Sequence, residues 1–476
     1  MTDRFDFDLV IVGAGVGGHG AALHAAACGL KTAIVESGDM GGTCVNRGCI
    51  PSKALLAAAG KVRELRDRHR LEALGLAVGP VSFQRETIAQ HAHKTVSQLR
   101  EALTKSFARL GIEVLRGHGR LAGPQAVQVG DRRVTARDVI LATGSVPFVP
   151  RGIELDGQTV FTSDQAIALE KLPDWIAIIG SGYIGLEFSD IYTALGCEVT
   201  MIEALDHLMP GFDPDIAKQA ERVLIQPRDI ETYTGTLAKR VIPGSPVVIE
   251  LADAKTKEVV EVLEVDACLV ATGRVPVSQD LGLETVGIVP NGRGFIEVDA
   301  HLATTAPHVW AIGDVTGRMM LAHTAAAQGI AAVENICGRP ATVDYHSIPA
   351  AAFTHPEIGF VGLTEPQAKE RAIAEGFSVG TARTYFKGNS KALAELETDG
   401  LAKIVYRQDT GELLGVHILG LHASDIIHEA AGAIAQRARV QDLARQVHAH
   451  PTLSEVLDEA YKKAVEVSFC ARITYG

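Results

Sequence analysis

Two glycine-rich segments of the form GxGxxG, each between a short apolar strand and a helix, predict an α/β protein with two Rossmann-like dinucleotide-binding domains. A C-terminal stretch of strands and helices without such a glycine motif predicts a third domain of the α+β class. The length of 476 residues agrees with three domains, at roughly 100–200 residues each.

The first dinucleotide-binding unit begins almost at the N-terminus. An apolar strand over 8–12 leads into the glycines, a helix covers roughly 19–28, and a second strand covers 31–35. In such a unit the first glycine makes the turn, the second admits a pyrophosphate, and the third packs helix on strand. An acidic residue after the second strand accepts hydrogen bonds from a ribose. The motif residues here are Gly13, Gly15, Gly18 and Glu36.

The same unit returns later in the chain. A strand over 175–179, a helix to about residue 195 and a strand over 198–202 surround the second motif. A single copy is compatible with a tight strand–helix turn that binds no ligand, but both copies place the acidic residue 23 positions after the first glycine, which favours a duplicated binding fold. The second set of motif residues is Gly180, Gly182, Gly185 and Glu203.

Glu203 also indicates which nicotinamide dinucleotide is preferred. A carboxylate at this position repels a 2′-phosphate, and no arginine cluster follows it in residues 204–208. We therefore expect NAD rather than NADP.

Two similar segments mark where the chain leaves each dinucleotide fold. Residues 139–147 and 268–276 are both apolar strands that end in Ala-Thr-Gly, where glycine lets the backbone turn close to a ligand. The second domain is therefore inserted into the first. We predict domains at 1–146, 147–273, 274–345 (the first domain resumed) and 346–476.

Cys44 and Cys49 share one glycine-rich loop, GGTCVNRGCIPSK, directly after the first unit. Disulfide formation needs Cα atoms about 5.5–6 Å apart, whereas residues five apart on a regular helix are separated by about 7.5 Å of axial rise. A bridge therefore needs a distorted turn, which Gly48 and Pro51 supply. Two unbonded cysteines or half of a metal site are the alternatives, although no further Cys or His follows nearby.

The other five cysteines are dispersed in the sequence, and we expect most of them to be small buried hydrophobic residues. They are Cys28, Cys197, Cys268, Cys337 and Cys470.

Composition and charge exclude several classes of protein. With 47% hydrophobic and 21% charged residues the chain is not disordered, and its net charge of −12 disfavours nucleic acid or an anionic membrane as main partner. No uncharged apolar run approaches 18 residues, so no membrane span is expected. Residues 1–6 carry a net negative charge and do not resemble a targeting presequence, so we expect a cytoplasmic protein.

These motifs together resemble the pyridine nucleotide–disulfide oxidoreductases and, within that family, its dihydrolipoamide dehydrogenases. The matching segments span essentially the whole chain: GGTCVNRGCIPSK, GSGYIGLE, AIGDV followed by MLAHTAAAQG, and VHAHPTLSE. The resemblance implies tightly bound FAD in the first domain, NAD in the second and a homodimer formed through the C-terminal domain. It also implies that dihydrolipoamide is oxidised to lipoamide while NAD+ is reduced, with lipoyl domains of 2-oxo-acid dehydrogenase or glycine cleavage complexes as partners.

The resemblance assigns a role to four residues around the cysteine loop. Cys44 is the thiol that exchanges with the substrate, and Cys49 is the thiol that passes electrons to the flavin, the two forming a redox-active disulfide. Lys53 lies near the flavin, with Glu187 as its acidic partner. Without the resemblance, a solvated lysine and a surface carboxylate are the simpler interpretations of the last two.

The resemblance also identifies His450 as the general base and Glu455 as the residue that orients it, since a carboxylate can fix the tautomer of an imidazole. In this family the base reaches the redox pair of the other subunit. His448 is expected to be structural.

Further positions match cofactor contacts of the family. Those expected to contact FAD, besides the first glycine motif, Glu36, Cys44 and Lys53, are Gly42, Thr43, Gly119, Thr143, Gly144, Ser145, Asp314, Met320, Leu321, Ala322 and His323. Those expected to contact NAD, besides the second glycine motif, Glu187 and Glu203, are Tyr183, Ile184, Ala238 and Gly273.

Several departures and alternatives remain. Asp425 stands where relatives often carry glutamate, and His422 and His448 are additional histidines. A mercuric reductase would be expected to carry a pair of cysteines near the C-terminus. Cys470 is single there, so that function is disfavoured.

The nearest alternative function is an NAD(P)H-dependent reductase of a small disulfide, of the glutathione or mycothiol type. A flavin NADH oxidase or transhydrogenase and a non-enzymatic flavin-binding scaffold are further alternatives. The sequence does not indicate which multienzyme complex is served.

Overall fold

The computed structural model describes residues 5–168, 170–228 and 230–474, with side chains described as far as residue 466. Residues 1–4 and the side chain of Cys470 therefore lie outside the described part. Among the described residues, no helix combines the length and hydropathy that a bilayer span requires.

The N-terminal part forms the first dinucleotide fold around a parallel sheet. Its elements are β1 (Phe7–Val12), α1 (Val16–Ala27), β2 (Thr32–Glu36), α2 (Gly42–Arg47), α3 (Cys49–Arg66), α4 (Arg68–Ala73), α5 (Arg85–Arg109), β3 (Glu113–Arg116), β4 (Gly119–Leu121), β5 (Ala126–Val129), β6 (Arg132–Leu141) and β7 (Ser145–Pro147). The strand order β3-β2-β1-β6 is parallel, and β4 and β5 extend β6 as an antiparallel layer. Strand β1 is apolar apart from Asp8 because both faces of its remaining residues are buried. Helix α1 begins at residue 16, three residues earlier than predicted, because Gly15 is already its N-cap.

The second dinucleotide fold repeats this plan. Its elements are β8 (Val160–Thr162), α6 (Ser163–Ala166), β9 (Trp175–Ile179), α7 (Tyr183–Leu195), β10 (Glu198–Ile202), α8 (Pro214–Ala220), β11 (Glu231–Tyr233), β12 (Thr236–Ile242), β13 (Val247–Asp253), β14 (Val259–Val265) and β15 (Ala267–Val270). The parallel order is β11-β10-β9-β15-β8, and β12, β13 and β14 form an antiparallel sheet beside it. The strands predicted at 175–179 and 198–202 are present with those bounds.

The chain then returns to the first fold. The elements of this part are β16 (Arg274–Pro276), β17 (Val309–Ala311) and α9 (Ala322–Ile336). Strand β17 adds to the first parallel sheet beside β6, and β16 pairs antiparallel with β7. The two segments predicted to leave the dinucleotide folds therefore pair with each other, and the predicted boundaries at 146/147 and 273/274 lie in or beside this ribbon.

The C-terminal part is an antiparallel sheet covered by helices. Its elements are β18 (Ala350–Ala352), β19 (Glu357–Gly362), α10 (Glu365–Glu375), β20 (Val379–Tyr385), α11 (Ser390–Glu395), β21 (Leu401–Arg407), β22 (Leu413–Gly420), α12 (Ala423–Ala435), α13 (Val440–Leu443) and α14 (Glu455–Thr474). The strand order is β18-β19-β22-β21-β20. The predicted strands around 403–406 and 413–418 are β21 and β22, so the expected α+β class is confirmed.

A buried ion cluster joins the C-terminal sheet to the second dinucleotide fold. The Lys403 ammonium lies 2.8 Å from Asp213, 2.5 Å from Asp215 and 2.6 Å from Glu365. Burial lowers the pKa of Lys403, but these three hydrogen bonds outweigh it and raise the pKa above its ordinary value. The charge is thus retained, and the cluster fixes the two parts against each other.

Candidate active site

A cavity of about 1750 Å³ is lined by residues of both dinucleotide folds and of the C-terminal part. Pockets for a single small molecule measure roughly 300–1,000 Å³, so this space is large enough for more than one extended ligand. Most of the residues predicted as dinucleotide contacts lie in its wall.

The first glycine motif combines tight packing with open space. Gly13 has φ of +109°, and a Cβ there would lie 2.3 Å from the Ala142 carbonyl oxygen. A Cβ on Gly18 would lie 1.9 Å from the Gly13 carbonyl oxygen. At Gly15 the nearest atom is the Gly42 Cα at 3.9 Å, so this position opens towards the cavity. Gly13 and Gly15 line the cavity, whereas Gly18 permits close packing of helix on strand.

We expect Gly18→Ala to lower the free energy of unfolding by about 1–3 kcal/mol, because the added methyl group has no room. The flavin content of the purified protein should fall as well, since the N-terminus of α1 faces the cavity. Gly20→Ala is the matched control on the same helix, because a Cβ there makes its closest contact at an ordinary 3.4 Å. Chemical denaturation of both variants checks this, and equal stabilities would contradict the packing argument.

The second glycine motif has the same geometry. Gly180 has φ of +101°, with a Cβ 2.5 Å from the Ala271 carbonyl oxygen, and a Cβ on Gly185 would lie 2.0 Å from the Gly180 carbonyl oxygen. Around Gly182 no atom lies within 4 Å of the added Cβ. Neither Gly18 nor Gly185 lines the cavity, and each permits close packing of a helix on a strand; their predicted contact with a cofactor stays a prediction.

The acidic residue of each unit is fixed at the end of its strand, facing the cavity. Glu36 accepts hydrogen bonds from the backbone N–H of Ala14 and of Gly38, each at 2.8 Å. Glu203 accepts from the Ser181 N–H at 3.0 Å and from its hydroxyl at 2.7 Å. Each carboxylate is thereby held beside its own glycine turn, as recognition of a ribose requires.

Gly48 breaks the helix between the two cysteines of the loop. Helix α2 ends at Arg47 and α3 begins at Cys49, so the cysteines lie on two helices rather than one. A Cβ on Gly48 would come within 3.0 Å of the Thr43 carbonyl oxygen. The break brings the half-buried thiols of Cys44 and Cys49 into hydrogen-bonding contact, and both are free thiols in this structure.

The two thiols differ in acidity. The hydrogen bond from Cys44 and the charge of Lys53 together lower the pKa of Cys49 to about 7, against the opposing effect of burial. The same hydrogen bond, together with burial, raises the pKa of the Cys44 thiol. In the dithiol form, Cys49 therefore carries the thiolate and Cys44 the proton.

Lys53 is held by an ion pair with Glu187. The ammonium nitrogen lies 2.9 and 2.8 Å from the two Glu187 carboxylate oxygens. Glu187 is 5% exposed and also accepts a hydrogen bond from the Phe353 N–H at 3.0 Å. The Lys53 ammonium lies 4.6 Å from the centroid of the Phe353 ring. Sequence analysis missed Phe353, because nothing in its local pattern marks it as a cavity residue.

We expect Lys53→Met to raise the pKa of the Cys49 thiol by about one pH unit or more, because a nearby positive charge is lost. The pH dependence of anaerobic alkylation of the reduced protein measures this. Lys61→Met on the same helix is the control, since Lys61 is exposed and paired with Glu64. An unchanged alkylation profile would show that Lys53 does not stabilise the thiolate.

A polar bridge at the β7–β16 ribbon positions Asp314. The Ser145 hydroxyl donates to Asp314 Oδ2 at 2.5 Å, and Arg274 donates through Nε to the same hydroxyl oxygen at 2.7 Å. Arg274 also donates to the Ser145 carbonyl oxygen at 2.7 Å. Sequence analysis missed Arg274, although its position directly after the second Ala-Thr-Gly was an available signal.

The other predicted cofactor contacts line the same cavity. Tyr183 lies at its wall, with its ring centroid 5.1 Å from that of Phe212 and 6.1 Å from that of Phe360, a residue of β19. Burial raises the pKa of its hydroxyl. The remaining lining positions are Gly42, Thr43, Gly119, Thr143, Gly144, Met320, Leu321, Ala322, His323, Ile184, Ala238 and Gly273.

His450 and Glu455 form a pair away from this cavity. His450 Nδ1 lies 3.0 Å from Glu455 Oε1, and the other carboxylate oxygen accepts from the Thr452 N–H at 2.8 Å. That backbone hydrogen bond and the contact with His450 hold the pKa of Glu455 below its ordinary value. The His450 side chain is 69% exposed, whereas that of His448 is 9% exposed, with its Nε2 3.1 Å from Glu429. Neither His450 nor Glu455 lines the cavity of its own chain.

The sequence matches the family described as pyridine nucleotide-disulphide oxidoreductase over residues 7–329, and the dimerisation domain of that family over residues 348–461. The chain belongs to the pyridine nucleotide-disulphide oxidoreductase family.

Relatives within the family share most of the sequence. The chain is 67% identical to a dihydrolipoyl dehydrogenase of Synechocystis sp. (strain ATCC 27184 / PCC 6803 / Kazusa) over 98% of this chain and 100% of that protein. It is 59% identical to dihydrolipoyl dehydrogenase 2, chloroplastic, of Arabidopsis thaliana, over 97% of this chain and 83% of that protein. Among solved structures, LpdA from Mycobacterium tuberculosis is similar with a TM-score of 0.86 and 29% identity, over 96% of this chain and 99% of that one.

The family uses FAD and NAD, and the residues of this chain fit both cofactors. At Gly15 and Gly182 the cavity leaves space at the N-terminus of a helix, where backbone N–H groups favour a pyrophosphate. Glu36 and Glu203 supply the ribose-binding carboxylates. When bound, FAD supplies the two-electron redox chemistry that connects a dithiol with a nicotinamide.

The match to the family's dimerisation domain supports the expected homodimer. That domain includes the exposed His450 and its partner Glu455.

Proposed function

We propose that the protein oxidises dihydrolipoamide to lipoamide and reduces NAD+. The observation that carries this proposal is the Cys44–Cys49 pair, which lies in a cavity shared by two dinucleotide folds with the Lys53–Glu187 ion pair beside it. The similarity to proteins named dihydrolipoyl dehydrogenase supports the choice of substrate.

The substrate half-reaction is thiol–disulfide exchange. His450 of a second copy of the chain removes a proton from one thiol of dihydrolipoamide, and the resulting thiolate attacks the Cys44 sulfur of the Cys44–Cys49 disulfide. Cys49 leaves as a thiolate, which Lys53 stabilises. The second substrate thiol then attacks the mixed disulfide, so lipoamide departs and Cys44 is left as the thiol. Two substrate S–H groups have become one disulfide, and the enzyme disulfide has become a dithiol.

A direct assay distinguishes this reaction from its alternatives. We expect NAD+ reduction with dihydrolipoamide to exceed NADPH oxidation with glutathione disulfide, both under air and without it. Preferential reduction of glutathione disulfide or a mycothiol-type disulfide would support a small-disulfide reductase instead. Oxygen-dependent NADH consumption without a disulfide would indicate an oxidase.

We expect Glu203→Ala to reduce the preference for NAD+ over NADP+ by about tenfold or more, because a hydrogen bond to a charged group is lost and the repulsion of a 2′-phosphate disappears. The ratio of kcat/KM for the two nucleotides measures this. Glu198→Ala, at the exposed start of the same strand, is the control. A wild-type protein with better kcat/KM for NADP+ would refute the assignment.

Mixed dimers test whether the base comes from the second subunit. We propose co-expressing a Cys44→Ser chain with a His450→Gln chain, neither of which is active alone. A mixed dimer then contains one complete site, so random pairing restores roughly a quarter of the wild-type activity. Activity no greater than that of the separate variants would place the base and the cysteines in one chain.

Lipoyl domains are the proposed protein partners. A lipoylated domain offers the same dithiol as dihydrolipoamide on a larger surface, so we expect a lower KM with such a domain than with the free amide. An equal or higher KM would argue against this partner. The cytoplasmic location stays a prediction, since the Arabidopsis relative is named as chloroplastic.

A further inference from the structure

The C-terminal ends of α1 and α9 bring four side chains with metal-binding atoms together, outside the cavity. The ligand atoms of His24, Cys28 and Glu334 all lie within 4.8 Å of one another, and the thiol of Cys337 is in hydrogen-bonding contact with that of Cys28. Both thiols are partly exposed. Cys28 and Cys337 are therefore not among the buried cysteines expected from the sequence, whereas Cys197 and Cys268 are buried as expected.

Close packing of the two helices fixes this arrangement. A Cβ added to Gly17 would lie 3.2 Å from the Ala325 Cβ, and one added to Gly329 would lie 2.7 Å from the Gly17 carbonyl oxygen. Closer to the C-terminal ends of both helices, His24 Nε2 of α1 lies 2.5 Å from Glu334 Oε1 of α9. The contacts advance along both helices in the same direction, so their C-terminal ends meet where the two cysteines are located.

The surroundings of the cluster attract positive charge. Cys28 and Cys337 are the C-cap residues of α1 and α9, where the negative ends of two helix dipoles favour a cation. The Arg339 guanidinium lies there, 3.0 Å from the Cys28 sulfur and 2.8 Å from Glu334 Oε1. Arg339 is 54% exposed, so it can swing into solvent and vacate the position.

We propose that His24, Cys28, Glu334 and Cys337 bind a thiophilic divalent cation of the Zn²⁺ class. Two sulfurs, one imidazole nitrogen and one carboxylate oxygen are a donor set that suits tetrahedral zinc. Ligand atoms of such a site are about 3.5 Å apart. Those of His24, Cys28 and Glu334 already lie within 4.8 Å of one another, and Cys337 would join them through its contact with Cys28.

The ion would act as a clamp on the first dinucleotide fold. The N-terminal ends of α1 and α9 line the cavity through Val16 and Ala322, and the proposed ligands lie at the opposite ends of the same helices. Binding to the folded state alone stabilises it, so Zn²⁺ should raise the melting temperature.

The binding test uses FAD-containing protein in which Cys44→Ser and Cys49→Ser remove the other thiol pair. Zn²⁺ is titrated against a chromogenic chelator under anaerobic, reducing conditions, and we expect one ion per chain. Cys28→Ser and Cys337→Ser should each weaken binding by more than about 100-fold, beyond the 10–100-fold typical of outer-shell changes. They should also remove the Zn²⁺-dependent rise in melting temperature. Arg339→Gln should tighten binding, because a competing cation is removed.

Cys197→Ser is the matched control, since that cysteine is buried in the other dinucleotide fold, and retained flavin shows that each variant is folded. Unchanged binding in Cys28→Ser, or no binding in the parent protein, would overturn the proposal. A Cys28–Cys337 disulfide in protein purified under air, with no Zn²⁺ uptake after its reduction, would assign the pair a redox role instead. No turnover is measured, so the result is independent of the proposed catalytic function.

Discussion

Cys44→Ser is expected to lower the rate of NAD+ reduction by dihydrolipoamide by more than about 10⁴-fold, a loss typical of removing a catalytic nucleophile. A serine oxygen cannot form the reversible bond to sulfur on which the exchange depends. The substitution is nearly isosteric at a half-buried position of α2, so the fold and the bound flavin should be retained. Steady-state NADH formation and the flavin content per chain measure the two parts of this prediction.

Two comparisons make the Cys44 result specific. Cys197→Ser changes a thiol outside the cavity and should leave turnover near the wild-type value. Oxidation of NADH by ferricyanide needs no thiol, so the Cys44→Ser variant should retain it. Substantial turnover of dihydrolipoamide by this variant would refute the assigned role of the cysteine pair.

His450→Gln is expected to lower dihydrolipoamide oxidation by about 10²–10⁴-fold, the range typical of losing a general base. Glutamine keeps the size and polarity of the side chain but cannot take up the thiol proton. Because Glu455 is held as a carboxylate by Thr452 and by His450 itself, Glu455→Gln should give a smaller loss through poorer orientation of the imidazole. The ferricyanide reaction should be unaffected in both variants, since it bypasses the proton transfer.

His448→Gln is the control within the same histidine motif. The His448 side chain is largely enclosed and contacts Glu429, so its substitution should lower the melting temperature more than it lowers turnover. If His448→Gln abolished activity in a folded protein while His450→Gln did not, the base would have to be reassigned to His448.

The local sequence was sufficient to predict the two dinucleotide units. Strands Trp175–Ile179 and Glu198–Ile202 have the predicted bounds, because apolar runs, glycine turns and helix starts depend on neighbouring residues. The distorted turn between the two cysteines could also be predicted from the local sequence, because the helix break at Gly48 is a property of that short segment. Most of the cavity-lining positions could be predicted because they lie in these motifs or match cofactor contacts of the family.

Contacts between distant parts of the chain could not be predicted in this way. Arg274 reaches Ser145, and Phe353 reaches Glu187, only after strands far apart in sequence have been brought together. Such positions carry no periodicity or motif of their own, so their packing partners are decided by the tertiary structure.

The sequence by itself determined the fold class, the paired dinucleotide units and the chemistry of the Cys44–Cys49 loop. Only the tertiary structure decided that the exposed His450 lies outside the cavity of its own chain, and that Cys28 and Cys337 meet at the ends of two helices. The physical reason is that local patterns arise from interactions over a few residues. Which surfaces finally face each other depends instead on the packing of elements hundreds of residues apart.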